Sequence, residues 1–249
     1  MNFCIDIGNT FIKVYGIAHI DSVKLLYRER FWAENFEDFY ALLKKYNPKK
    51  IILSSVREDN NALIKILEQS DAYYIELTKK TPLPFSMAYK TPETLGSDRV
   101  AVTAGAQKLF PFQSSLVINT GTCITYDFIE KGEIYHGGSI SPGRFMRYKA
   151  LKAFTGKLPL VEPAEYDSFI GQNTYDAIRT GVEEGCFGEI KHRISQYKDY
   201  FGPINILLTG GDGNFFEKRF KNQIFADSNL LAIGLYALLL FSYENNNEI

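Results

Sequence analysis

The sequence predicts an α/β fold built from two related lobes, and three observations support that reading. An apolar strand, a short polar turn and a second strand occupy residues 2–14. The same arrangement returns at residues 115–128, where the second half of the chain opens. In the first half, apolar runs of strand length then alternate with segments of helical period, as in an α/β lobe.

The first hairpin places Asp6, Gly8, Asn9 and Thr10 at its turn. A glycine-containing turn of this kind can wrap a phosphate with its backbone N–H groups, and a strand-end Asp can hold a metal ion or its waters. The same residues also suit an ordinary type I or I′ hairpin, for which Gly-Asn is a good sequence. The second copy favours the phosphate reading. Asp6 lines up with Asn119, Gly8 with Gly121 and Asn9 with Thr122. Two halves that each offer a phosphate-cradling hairpin suggest a nucleotide held in the cleft between two lobes. The expected division is 1–110 and 111–249, each opening with one of the two phosphate-cradling hairpins.

Composition narrows the class. A chain of 249 residues with 45% hydrophobic and 23% charged residues can bury a core. The 19 Phe and 16 Tyr are spread along the chain and are expected to fill that core. With 28 basic and 29 acidic residues and no basic block, neither nucleic acid nor an anionic membrane is expected as a partner. Cys4, Cys123 and Cys186 are an odd number without metal spacing, which suits buried, reduced thiols in a cytoplasmic protein. The N-terminus enters a strand at once, so no signal peptide is expected. The apolar run Leu230 to Phe241 is too short to span a bilayer and reads as a buried helix.

The remaining elements follow in order. A strand is expected at 23–32, a helix at 36–46 closed by Pro48, a strand at 51–56, a helix at 62–67 and a strand at 72–77. Pro82, Pro84 and Pro92 make 81–94 a loop, and an Ala-rich helix follows from 95 to 109. Asp98 in its first turn is either a dipole-favoured helix carboxylate or a functional one, and Arg99 alone reads as a surface charge. In the second half, strands at 115–119, 123–129 and 132–136 lead to Gly137–Gly143, then to a helix at 144–154. A helix capped by Asn173 or Thr174 runs from 174 to 197, and a strand at 204–208 ends in Thr209–Gly213. That glycine turn either admits a ligand close to the backbone or is a plain left-handed turn. A helix at 229–243 closes the chain. His19, His136 and His192 are too scattered for a metal site.

Taken together these stretches resemble the type III pantothenate kinases of the acetate and sugar kinase/Hsp70/actin superfamily. The resemblance covers nearly the whole chain. It rests on Asp6-Ile-Gly-Asn-Thr10, Tyr89 before Gly96-Ser-Asp-Arg99, Asn119-Thr-Gly-Thr122, Gly137-Gly-Ser-Ile-Ser-Pro-Gly143, Gly171-Gln-Asn-Thr174 and Thr209-Gly-Gly-Asp212. It implies two lobes of the actin-like ATPase (ribonuclease H-like) type and ATP-dependent phosphorylation of pantothenate, the entry step to coenzyme A. It further implies that Asp6, Ile7, Gly8, Asn9, Thr10, Phe11, Ile12 and Lys13 form the first phosphate loop, with Asp6 near magnesium (Mg2+), directly or through water. Gly121 and Thr122 would form the second loop, and Gly210 and Gly211 would approach the adenosine side. Asp98 would be the general base. Tyr89, Gly96, Ser97, Asp98, Arg99 and Thr174 would hold pantothenate, and the enzyme would be a homodimer.

One residue departs from the family pattern. Asn119 stands where the family has an Asp associated with a monovalent cation (K+ or NH4+), and an amide oxygen brings no charge. Potassium dependence is therefore expected to be weak or absent. Asp127, on the following strand, is expected to face solvent, although its charge could compensate. Two rival readings remain at this point: another small-molecule kinase on the same scaffold, or a non-catalytic regulatory member. The Tyr89–Arg99 segment argues against the first and the presence of Asp98 against the second, since fold alone does not specify a substrate.

Overall fold

Strand β1 (Asn2–Ile7) of the computed structural model is buried at every residue, as a strand covered on both faces must be. On one side it pairs antiparallel with β2 (Phe11–Ala18), and β3 (Lys24–Trp32) lies outside that. On the other side β4 (Lys50–Ser55) runs parallel to it, with β5 (Tyr73–Glu76) outside. The helices α1 (Phe36–Tyr46) and α2 (Asn61–Glu68) supply Phe39, Leu42, Leu43, Leu63 and Leu67 to the core beneath Phe3, Ile5, Ile7, Ile12 and Val14. Glu37 and Asp38 begin α1 and Lys44 and Lys45 end it, matching the helix dipole.

The structure describes residues 1–8, 11–18, 24–32, 36–55, 57, 61–166, 168–220 and 224–247. Asn9, Thr10, His19, Val23 and Val56, on which expectations fell, lie outside the described residues. The chain divides into two units, one of Met1–Pro111, Gly132–Tyr135 and Asn229–Ile249, the other of Phe112–Lys131 and His136–Ser228. In the first unit, β6 (Ser86–Met87) pairs parallel with Ile134 and Tyr135, and α3 (Ser97–Leu109) is buried continuously from Arg99 to Ala106.

The second unit repeats the first unit's strand order. Strand β7 (Ser115–Thr120) takes the central place. It has β8 (Cys123–Glu130) antiparallel on one side with β9 (Ile134–Pro142) outside it. On the other side β10 (Asn205–Thr209) runs parallel, with β11 (Phe225–Ala226) outside. The register makes the repeat specific: Asp6 faces Lys13 and Ser54 on its two neighbours, and Asn119 faces Thr125 and Thr209. Helices α4 (Arg144–Ala153), α5 (Thr174–Phe201) and α6 (Gly213–Phe220) cover the sheet through Tyr148, Ile178, Val182, Cys186, Ile190 and Phe216. The last helix, α7 (Leu230–Asn247), returns to the first unit and packs along α3. Its apolar residues recur on every side, so it needs cover all round, and the small residues of α3 allow close packing.

Several elements differ from the expectations, each for a physical reason. The proline-rich segment 81–94 contains β6 and a short 3-10 turn at Pro92–Thr94, because Ser86 and Ala88 N–H groups find carbonyls at Glu133 and Tyr135. Strand β9 runs on through Gly137 to Pro142, beyond the expected end at residue 136. The two hairpin turns are not the same length: Gly8 N–H bonds Phe11 O, whereas Gly121 N–H bonds Cys123 O. Asp127 does not face solvent; it is fully buried and accepts a hydrogen bond from Thr125 Oγ1 at 3.0 Å. Cys4 and Cys186 are buried, but Cys123 is only half-buried beside its turn. The aromatic residues fill the core in part only, since Phe112, Phe154, Phe169 and Tyr200 are largely exposed. Helix α6 and strand β11 lack a long periodic pattern and were not anticipated. Among the described residues, no helix is long and apolar enough to cross a membrane.

Candidate active site

The acceptor motif lies where α3 begins. Gly96 is the N-cap, and Leu95 before it is buried. The Ser97 hydroxyl accepts from Ser54 Oγ at 3.0 Å and donates to the Ser55 carbonyl at 3.2 Å, which ties the helix start to the end of β4. Ser54 is the register partner of Asp6, so this tie brings the motif to the strand end that carries Asp6. The Asp98 carboxylate folds back onto the helix start, where the Arg99 N–H donates to its Oδ1 at 2.9 Å. A Cβ at Gly96 would lie 2.5 Å from that same oxygen, so the missing side chain makes room for the carboxylate. Burial pushes the Asp98 carboxyl above its ordinary 3.8; the Asp6 charge adds to the rise, while the Arg99 N–H and guanidinium oppose it. Arg99 is buried rather than a surface charge, with its guanidinium 5.9 Å from the centre of the Tyr89 ring. Tyr89 in turn lies beside Tyr135. A small cavity of about 130 Å³, lined by Leu77, Met87, Leu95 and Ser97, adjoins this segment.

The first turn contributes an ion pair. Asp6 is buried and its Oδ2 lies 2.9 Å from Lys13 Nζ, the residue opposite it in the hairpin. Burial works against the Lys13 charge, but Asp6 outweighs it and raises the pKa. Ile7 and Ile12 send their side chains into the core, so only their backbone is available to a ligand. Phe11 is half-buried, stacked near Trp32 and under the Arg30 guanidinium. Among the described residues no three His, Cys, Asp or Glu side chains cluster as a metal site. A magnesium ion here would take only one or two carboxylate oxygens from this unit, with water and phosphate completing its shell.

The second turn belongs to the other unit. Thr122 is exposed, Gly121 and Asn119 are half-buried, and the buried Thr120 hydroxyl donates to the Thr209 carbonyl at 2.9 Å. Gly210 has φ of +97°, and a Cβ there would lie 2.4 Å from Thr120 O and 2.6 Å from Asn119 Oδ1. The glycine turn thus presses directly on the hairpin turn, and Gly211 next to it is exposed. Thr174 is the exposed first residue of α5, whose N-cap Asn173 accepts from Asp176 N–H at 3.0 Å. It lines an apolar cavity of about 820 Å³ with Leu151, Phe154, Leu158 and Ile178. The first unit therefore gathers Asp6, Lys13, Tyr89 and Gly96–Arg99, and the second gathers Asn119, Gly121, Thr122, Gly210 and Gly211, with Thr174 at the start of α5. Sequence reading missed Ser54, Arg144 and Glu183; a carboxylate inside the apolar stretch of α5 was the one available signal for the last.

Two sheets of the same strand order, each led by a hairpin with a polar turn, define an α/β protein of the actin-like ATPase and sugar-kinase class. A crystal structure from Campylobacter jejuni, described there as a candidate Baf family transcriptional activator, superposes with a TM-score of 0.60 at 24% identity over 98% of this chain and 99% of that one. A candidate N-acetylmannosamine kinase from Listeria monocytogenes gives 0.57 at 13% identity over 96% and 99%. The type III pantothenate kinase family profile matches residues 2–196. A type III pantothenate kinase of Bacteroides fragilis is 39% identical over 249 residues, 100% of both chains. The chain belongs to the type III pantothenate kinase family.

Two outcomes follow for Asp98. Its raised pKa means that the folded chain holds this proton more tightly than the unfolded one, so ionisation costs stability as pH rises from 3.8 through the folded value. Asp98→Asn removes that cost: its melting temperature at pH 7 exceeds that of the parent protein, and the gap closes as pH falls toward 3.8. A variant that melts lower at pH 7 contradicts the assignment. Gly96→Ala displaces the carboxylate without meeting backbone, so the melting temperature changes little, and with Asp98 as the base proposed below kcat drops by about tenfold to a hundredfold. Steady-state kinetics beside a thermal melt check this.

Proposed function

We propose that Asp98 is the general base with which this chain phosphorylates pantothenate from ATP, giving 4'-phosphopantothenate at the first step of coenzyme A biosynthesis. The observation that carries the reading is the Asp98 carboxylate seated against Gly96, in the same unit as buried Arg99 and the Asp6–Lys13 pair. A carboxylate made more basic by burial is suited to take a hydroxyl proton. The proton of the primary hydroxyl passes to Asp98, the freed oxygen attacks the γ-phosphorus, and the bond to the β–γ bridging oxygen breaks to release ADP. Such a transfer needs alignment and charge neutralisation more than covalent chemistry.

The other roles follow from chemistry. The Arg99 guanidinium suits the pantothenate carboxylate, with Tyr89 and Gly96 beside it in the same unit, and Thr174 offers pantothenate a further hydroxyl. Ser97 already donates its proton to Ser55 O, so toward pantothenate it acts as an acceptor. Lys13 and the backbone of the Asp6–Lys13 turn suit phosphate, and so, in the other unit, do Gly121 and Thr122. Gly210 and Gly211 allow adenosine to approach the backbone. Asp6 suits magnesium, held directly or through water, and the ion would neutralise phosphate charge. Asn119 offers a monovalent cation only a neutral oxygen. The unit of Met1–Pro111, Gly132–Tyr135 and Asn229–Ile249 carries the acceptor role, and the unit of Phe112–Lys131 and His136–Ser228 carries the adenosine role. Exposed Phe145 and Met146 on α4, Phe154 just after it and Tyr175 on α5 suit a homodimer surface near Thr174, and the enzyme acts in the cytoplasm.

The decisive experiment is ATP-dependent phosphorylation of pantothenate by the parent protein beside Asp98→Asn. The variant loses about a hundredfold or more in kcat while remaining folded. An inactive parent protein that still binds ATP would point to another acceptor or to a regulatory role. The rate measured against potassium in a sodium background shows little activation, because Asn119 brings no charge; a strong, saturable activation would sink that assignment.

A further inference from the structure

We propose that Arg144 is a positioning residue for the nucleotide, locking the Gly210–Asp212 turn and the Gly121–Thr122 turn into one cradle. The proposal rests on the reading that these turns hold ATP. Arg144 is the first residue of α4 and is buried. Its Nε and Nη2 donate to Glu183 Oε2 and Oε1, each at 2.7 Å, and its Nη1 donates to Asp212 Oδ1 at 2.9 Å. Glu183 is fully buried on α5 and also accepts from Tyr148 at 2.8 Å. The guanidinium lies 3.8 Å from the centre of the Phe215 ring.

Two backbone bonds complete a closed circuit. Asp212 N–H donates to Thr120 O at 3.0 Å, fixing the glycine turn to the end of β7. Gly143 N–H donates to Thr122 O at 3.0 Å, fixing the start of α4 to the hairpin turn. The Arg144–Asp212 bond is the link that joins these two attachments. Glu183 satisfies one edge of the fork and sets its plane, which leaves Nη1 aimed at Asp212.

A merely structural ion pair would be complete with Glu183. The second partner, Asp212, leaves two carboxylates on one cation, an arrangement that burial opposes. Burial keeps the Asp212 pKa raised, although Arg144 pulls against it. Placing this costly link on the turn that faces the nucleotide accounts for it: the turn is held before ATP arrives, and Asp212's charge is turned toward the arginine. Lysine at 144 keeps the charge but cannot serve Glu183 in bidentate fashion and Asp212 together.

The test uses full-length Asp212→Asn and Arg144→Lys, with kinetics for both substrates, equilibrium binding of a non-hydrolysable ATP analogue with magnesium, and melting temperature without ligand. Asp212→Asn melts close to the parent protein yet raises the ATP KM and analogue Kd about tenfold or more, with the pantothenate KM unchanged. Arg144→Lys raises the same two constants and also lowers the melting temperature, because it gives up the bidentate pair with buried Glu183. The double variant raises them little beyond the single variant with the larger effect, since both weaken the Arg144–Asp212 link. Should Asp212→Asn not fold, Arg144→Lys gives the same readout. Unchanged ATP affinity in a folded variant, or equal rises in both KM values, overturns the proposal. Thr122→Val separates it from the reading beneath it. If Thr122→Val weakens analogue binding and Asp212→Asn does not, the positioning role alone fails. If neither does, the turns are not the nucleotide site and both ideas fall.

Discussion

Each unit depends on a central strand whose buried backbone must be hydrogen-bonded on both edges. β1 and β7 meet that requirement in the same way, with a hairpin partner antiparallel on one side and a later strand parallel on the other. The polar residues near their ends, Asp6 and Asn119, are therefore held by two ladders at once. A functional group in that position inherits the rigidity of the sheet.

The two units spend their charges differently. In the first, Asp6 is compensated by Lys13 across the hairpin, and burial raises the pKa of the Asp98 carboxyl. In the second, two carboxylates of α5 organise the segment between β9 and α4. Glu183 holds Arg144, while Glu189 accepts from Ser141 at 2.5 Å, from Tyr126 at 2.8 Å and from Arg147. Burial opposes the Glu189 charge, but those donors outweigh it and lower the pKa. Arg147 also donates to the Pro142 carbonyl at 2.8 Å, so the glycine-rich Gly137–Gly143 segment is anchored from α5 rather than by its own turns.

What could be read from the chain follows from range. The hairpins, α1, α3, α4 and most of α5 are local patterns, and the glycine turn after β10 is marked by its own residues. Asp98 could be read as a motif. Its setting could not, because the space left by Gly96, the burial of Arg99 and the Ser54–Ser97 bond depend on how α3 docks against β4. Asp127 was misread as solvent-facing because alternation tells only that two faces exist, not which of them is covered.

The sequence by itself determined the repeated hairpins, the order of the longer strands and helices, and the residue types offered at each turn, since these depend on neighbours within a few residues. Tertiary structure alone decided that Arg144 meets Glu183 and Asp212, which lie 39 and 68 residues further along the chain. It also decided that the C-terminal helix returns to the first unit, and that the two hairpin turns differ in length. The reason is that burial and charge pairing are set by which surfaces come to face each other, and no local pattern of residues records that.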